Sequence, residues 1–194
     1  MIYFDNAATT YPKPESVRRA AAEAIVRYGG NPGRSGHKMS IAASEAVYSV
    51  REKAGKFFGA EPENVIFTAN CTESLNMAIK GLAEQELREG RPFHVIISSL
   101  EHNSVFRPVH ELTKRGLSYS IAEVSADDTV TVNNFEDLIK PHTKAVICTL
   151  GSNVTGQLLP YERIGAMCRR RHICFVGDGA QVCGVVPIDM KRDN

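Results

Sequence analysis

Neither charge dominates this sequence. Its 194 residues carry 23 Lys+Arg against 22 Asp+Glu, a formal net charge of +1 at pH 7. There is no basic stripe and no interleaving of aromatic with basic residues, so nucleic acid is not an expected partner. Long apolar runs are also missing. No stretch approaches the ~18 residues that span a bilayer, and the polar residues that soon follow the apolar ones at the start predict an unsecreted protein. A soluble, cytoplasmic protein with no membrane partner is expected. The five cysteines, Cys71, Cys148, Cys168, Cys174 and Cys183, are scattered, odd in number and never in a CxxC spacing. They indicate neither a zinc site nor a disulfide framework, and no metal is expected; a reducing compartment fits them best. No GxGxxG follows a strand, which weakens a nicotinamide or flavin reading. Internal repeats and low-complexity linkers are absent, so no domain boundary is expected within residues 1–194.

What is present is a core-forming composition, 43% hydrophobic, arranged as alternating strands and helices. An extended arm, MIYFDNAATT, leads through Pro12 and Pro14 to a helix from Glu15 to Tyr28, ended by Gly29-Gly30. The loop NPGRSGHKMS follows, with Arg34 and His37 either in a plain connector or reaching into a site. A helix over Ser40–Phe58, a strand over Asn64–Thr68 and a helix opening at 69–74 come next. Further strands are expected at Phe93–Ser98, Leu117–Val124 and Lys144–Thr149. Helices are expected at Asn103–Arg115, Asn133–Lys140 and Tyr161–Arg171. This pattern predicts an α/β fold with a parallel or mostly parallel sheet between helical layers.

Polar residues gather where the strands end. The run from Arg171 to Val176 reads as a buried strand that closes on Gly177-Asp178-Gly179-Ala180-Gln181. In an open parallel sheet ligands lie beyond the carboxyl ends of the strands, so Asp178 is the first candidate for chemistry. Taken alone it is equally an ordinary capping acid in a tight turn. Glu101-His102-Asn103-Ser104 and Gly151-Ser152-Asn153-Val154-Thr155-Gly156-Gln157 end two other strands and face the same cleft. Ahead of them, Cys71-Thr72-Glu73-Ser74 opens a helix whose unpaired N–H groups attract an anion. Considered by themselves, Thr72 and Ser74 read more naturally as helix caps. The clusters together favour a site.

A flat phosphorylated cofactor would use these groups: a helix N-terminus for phosphate, an acid for a ring nitrogen, an aromatic residue for one face and amides for a ring hydroxyl. Pyridoxal 5'-phosphate has that shape, and a carboxylate opposite its pyridine nitrogen keeps the ring protonated and electron-accepting.

Six ordered motifs, YFDNAATT, NPGRSGHKMS, FTANCTESLN, EHNSV, SNVTGQ and VGDGAQ, resemble the cysteine desulfurases and related class V aminotransferases along nearly the whole chain. The resemblance implies the large domain of a fold-type I pyridoxal phosphate enzyme, a three-layer αβα transferase fold, usually in a homodimer. It implies an L-cysteine substrate, alanine as product, and sulfur passed as a persulfide to an acceptor protein. Selenocysteine lyase and other class V activities lie within the same resemblance. By similarity Cys71 and Thr72 hold the phosphate, His102 stacks on the ring and moves protons, Asn153 and Gln181 contact the ring oxygen, and Asp178 faces the pyridine nitrogen. Cys71 departs from the small residue usual at its position, and its backbone N–H rather than its thiol is the expected ligand.

The family's Schiff-base lysine sits in a Ser/Gly-His-Lys motif one strand after the aspartate. No such motif follows Asp178 in this sequence, and Lys191 is too close to Asp178 and lacks the preceding histidine. The expectation is a truncated, N-terminal part of the enzyme, inactive alone, or else a non-catalytic binding or assembly module.

Overall fold

Proline sets the first helix. In the computed structural model, which describes residues 2–192 other than 5, 8 and 35, Pro14 caps α1 (Glu15–Arg27), and none of the helix's residues is buried. The second helix, α2 (Lys38–Phe58), starts two residues earlier than its composition suggests. His37 explains the shift: its ring accepts from the Ser40 N–H at 3.3 Å, so the side chain caps a helix. Gly59, at φ 67°, ends α2 in the left-handed conformation that favours glycine. Gly30 is required by close approach, since a Cβ there would lie 2.5 Å from the Met39 carbonyl carbon.

Contacts divide the chain into two compact units, residues 1–66 and 67–194. The strand expected over Asn64–Thr68 does not form. Pro62 starts a short 3-10 turn through Asn64. The following residues do not join the sheet, with Ile66 69% and Phe67 49% exposed. Extension alone does not make a strand; pairing does.

The second unit begins with α3 (Cys71–Arg88) and contains β1 (Phe93–Ser98), α4 (Asn103–Leu112), β2 (Leu117–Ala122), α5 (Asp128–Asp137), β3 (Thr143–Thr149), α6 (Tyr161–Arg170) and β4 (Cys174–Asp178). The four strands form one all-parallel sheet in the order β2-β1-β3-β4. Every residue of β1 is buried, as expected of a central strand covered on both faces. The period of two separates the layers: Val95 and Ile97 pack with α3 and α4 through Leu75, Ile79, Val105 and Val109. Ile96 packs the other way, with Phe135 of α5 and Ile164 and Met167 of α6. The result is the three-layer αβα arrangement that the motif order implies. Among the described residues no helix is long and apolar enough to cross a membrane.

Two strand and helix expectations need correction. The helix expected over Asn133–Lys140 lies at Asp128–Asp137, because Asp127 caps it, accepting from the Thr129 and Val130 N–H groups at 2.7 and 3.3 Å. Its first turns, Thr129-Val130-Thr131-Val132, are β-branched and weak in helix propensity, yet burial of Val132 and Phe135 overrides that preference. β4 is not the buried strand expected from Arg171 onward. Arg171–Ile173 make the turn out of α6, with His172 at φ 56°, and β4 pairs only with β3, leaving Cys174 and Gly177 exposed.

At the opposite end of the sheet, His94 on β1 is fully buried. Its ring bridges Thr143 Oγ1 (2.8 Å) and Ser120 Oγ (3.0 Å). Burial, then the nearby Lys140 and His142 charges, push its pKa down to about 4. The unfolded chain therefore binds a proton that the folded chain refuses between pH ~6.5 and ~4. Stability from this residue is present above pH 6.5 and is lost as pH falls through that window, on the order of 2–3 kcal/mol. Urea melts of His94→Gln should show a smaller loss than the parent between pH 7 and pH 4.5. Equal losses would remove His94 as the cause.

Candidate active site

The carboxyl ends of β1, β3 and β4 are tied together by side chains from the polar clusters. Thr149, last on β3, is in register with Asp178, last on β4. The Asp178 carbonyl accepts from the Leu150 N–H at 2.9 Å. Glu101, just beyond β1, accepts from the Thr149 N–H at 2.8 Å and from the Ser98 hydroxyl through the same Oε1. Its Oε2 is buried with no hydrogen-bond partner among the described residues. Burial first, and the neighbouring Asp178 charge after it, drive the Glu101 pKa up to about 7 despite the hydrogen bonds that oppose the shift.

Asp178 is 5% exposed. Its Oδ1 accepts from the Ala180 N–H at 3.0 Å and from the Cys71 thiol at 3.5 Å. No described residue donates to Oδ2. No Lys, Arg or His of the described residues lies within 4.0 Å of the carboxylate. A buried acid without a cation of its own is costly unless something else supplies positive charge. Gly179 makes this corner possible: a Cβ there would fall 2.4 Å from Cys183 Sγ, so the Cys183 thiol closes against bare backbone.

Cys71 brings the N-terminus of α3 to the same place. Asn70 caps that helix, accepting from the Glu73 N–H at 3.0 Å, while Glu73 reaches back to the Ala69 N–H at 2.7 Å. This capping box variant leaves the Cys71 and Thr72 N–H groups without an acceptor among the described residues. Burial, then Asp178, push the Cys71 thiol up to about 11. The group is therefore a thiol and a donor at neutral pH, not a nucleophilic thiolate.

His102 stands at the N-cap of α4. Its Nδ1 accepts from the Ser104 N–H at 3.1 Å and lies 2.8 Å from the Ser104 hydroxyl. That bonding places the ring proton on Nε2, the outward nitrogen of an exposed side chain. Thr72 and His102 border one cavity of about 500 Å³ that runs between α3 and α4, with Asn76, Lys80, Arg107 and Glu111 along it. Asp178 does not line it.

The structure thus joins Cys71 to Asp178 directly, and Thr72 to His102 around the cavity. Asn153 is exposed at the tip of the turn after β3, whose base is closed by Ser152, its Oγ accepting from the Val154 and Thr155 N–H groups at 3.2 Å. Gln181 is half-buried in the turn after Asp178. Neither amide contacts Asp178. Sequence reasoning named Glu101 only as a neighbour of His102. Its partners, Ser98 and Thr149, belong to two different strands, and only the parallel register makes them meet.

Comparison with known proteins gives the family and the fold. The aminotransferase class-V family model covers residues 2–194. The chain is 34% identical to a cysteine desulfurase IscS of Glaesserella parasuis, over all of this chain and 47% of that protein. It is 32% identical to a mitosomal cysteine desulfurase of Trachipleistophora hominis, over all of this chain and 44% of that protein. Among solved structures it superposes on SspA in complex with cysteine at TM-score 0.89, with 30% identity, covering 100% of this chain and 55% of the other. On a NifS-like protein the TM-score is also 0.89, with 27% identity and coverage of 100% and 52%. The chain spans less than half the length of these two curated relatives. Six motifs, a parallel αβα unit and a match along nearly the whole chain converge: the protein belongs to the aminotransferase class-V family, among its cysteine desulfurase-like members.

Proposed function

We propose that residues 1–194 form the cofactor-holding part of the large domain of a pyridoxal 5'-phosphate-dependent cysteine desulfurase, acting on L-cysteine. The observation that carries this reading is the buried Asp178 carboxylate, which has an oxygen to spare and no protein cation. A protonated pyridine nitrogen supplies the missing positive charge. The α3 N-terminus fits the other end of the cofactor, because two amide donors stand open there.

When bound, the cofactor supplies an electron sink for the bond-breaking steps. In this reading Asp178 holds the proton at the ring nitrogen, and the Cys71 and Thr72 amides with the Thr72 hydroxyl take the phosphate. His102 covers one face of the ring and, as the catalytic residue, moves a proton through Nε2. Asn153 and Gln181 contact the ring oxygen. In this reading the protein is a cytoplasmic homodimer that hands sulfur to an acceptor protein; cysteine is the ligand of the similar SspA structure.

These 194 residues by themselves are expected to bind the cofactor weakly and to release no sulfide, since no Gly-His-Lys follows Asp178. Titration of the chain with pyridoxal 5'-phosphate, followed by absorbance, tests this. Saturable binding is expected, weakened at least ~10-fold in Asp178→Ala, as loss of a charge-assisted hydrogen bond implies. Borohydride should trap no stoichiometric adduct on one lysine. Unchanged affinity in Asp178→Ala would overturn the site, and cysteine turnover by the chain alone would overturn the requirement for a lysine after Asp178.

A further inference from the structure

We propose that Cys71 is a positioning residue for Asp178: its thiol donates to Oδ1 and, with the Ala180 amide, fixes the carboxylate so that Oδ2 is the oxygen presented to a pyridoxal-type ring nitrogen. The inference rests on the cofactor reading above and extends it to a side chain whose backbone alone was expected to matter. The contact joins residues 107 apart in sequence, at 3.5 Å, an ordinary separation for an S–H donor to oxygen. It links the first residue of α3 to the last residue of β4, the two elements that would hold the phosphate and the ring nitrogen.

A carboxylate at a strand end turns about its terminal torsion in a broad, two-fold well. Ala180 alone, two residues along the chain, bonds one oxygen from below the turn. Cys71 adds a second donor from another element, so rotation would break two bonds rather than one. Burial and the adjacent carboxylate both keep the sulfur protonated, so the donor persists across neutral pH. Cys183, the other thiol against this corner, packs on Gly179 and feels the Asp178 charge, but no hydrogen bond joins it to the carboxylate. Cys71 alone therefore sets the rotation from outside the turn.

Two measurements on the whole chain separate this proposal from the cofactor reading. In the first, without cofactor, iodoacetamide labelling of Cys71 is followed by peptide mass mapping between pH 7 and pH 9.5. Removing the charge in Asp178→Asn should raise the Cys71 rate at pH 8 roughly 3-fold or more, because the thiolate fraction grows as the pKa falls while the larger effect of burial remains. An unchanged rate would show that thiol and carboxylate are not coupled, and the proposal would fall.

The second is the pyridoxal 5'-phosphate titration applied to Cys71→Ala and Cys71→Ser. Alanine should weaken binding ~3- to 10-fold, and serine, which keeps a donor, should restore most of it. If alanine binds as the parent does, the positioning role is overturned while the cofactor site stands. If the parent shows no saturable binding, the cofactor reading fails and this role fails with it, even where the labelling result holds.

Discussion

Phe135→Ala is expected to cost the 67–194 unit about 3–5 kcal/mol, measured by urea denaturation at neutral pH. Phe135 heads the fully buried side chains and sits where α5 meets Ile96 of β1 and Ile164 and Met167 of α6. Truncation removes the transfer free energy of a whole ring and leaves a cavity walled by strands and helices that cannot easily collapse into it. Against a domain stability of ~5–15 kcal/mol, that is a large share. Val130→Ala, on the same helix but 45% exposed, should stay within ~0.5 kcal/mol. A Phe135→Ala cost below ~1 kcal/mol would mean that α5 is not seated on the sheet.

Glu101→Gln is expected to remove a pH-dependent cost from the fold. The carboxyl is pushed up to about 7 from 4.5, so between those values the folded chain holds a proton that the unfolded chain releases. Stability from this group is full below pH ~4.5 and declines as pH rises to ~7, by up to about 3 kcal/mol, after which the decline stops. Glutamine keeps an oxygen for the Ser98 hydroxyl and the Thr149 N–H but does not ionise. The variant and parent should match at pH 4.5, and the variant should be the more stable by ~2–3 kcal/mol at pH 8. The groups around Glu101 that carry or could carry charge are the Asp178 carboxylate and the buried Cys148 thiol. Equal stabilities at pH 8 would show that Glu101 ionises in the fold without penalty. His94 has the opposite slope between pH 4.5 and 6.5, so the parent chain hides both effects by partial cancellation and the two variants expose them separately.

The parts of the fold that could be read from sequence are those where one local signal dominates. Phe93–Ser98 is a largely apolar run, interrupted by His94, and forms a strand over those residues. Gly59 marks a helix end by its own conformational preference, whereas α3 is capped by Asn70 and not by Thr72 or Ser74, which lie inside the helix. The errors fall where distant residues decide. Thr129–Val132 is helical because Val132 and Phe135 are buried against other elements. Val65–Phe67 is no strand because it does not join the sheet. The strand ending at Asp178 looked buried from its composition but lies at a sheet edge, and composition carries no information on how many neighbours a strand has. At the site, the order of motifs pointed to Asp178, Thr72 and His102 as candidates. The thiol of Cys71 and the carboxyl of Glu101 acquired roles only through the fold, since Asp178 lies 107 residues from Cys71 and Thr149 lies 48 from Glu101, with Ser98 its one local partner.

The strand order β2-β1-β3-β4 also governs how the chain folds as it is made. β1 meets β2 soon, but its other edge waits for β3, and roughly 50 residues separate Ser98 from Thr149. At ~5–20 residues per second of synthesis, this largely apolar strand emerges with one side of its ladder open for about 3–10 s. Contacts this far apart in sequence also slow folding once the chain is complete. The most deeply buried strand of the finished sheet is therefore its most vulnerable segment at birth, and a nascent chain held by a chaperone should be caught with Phe93–Ser98 exposed.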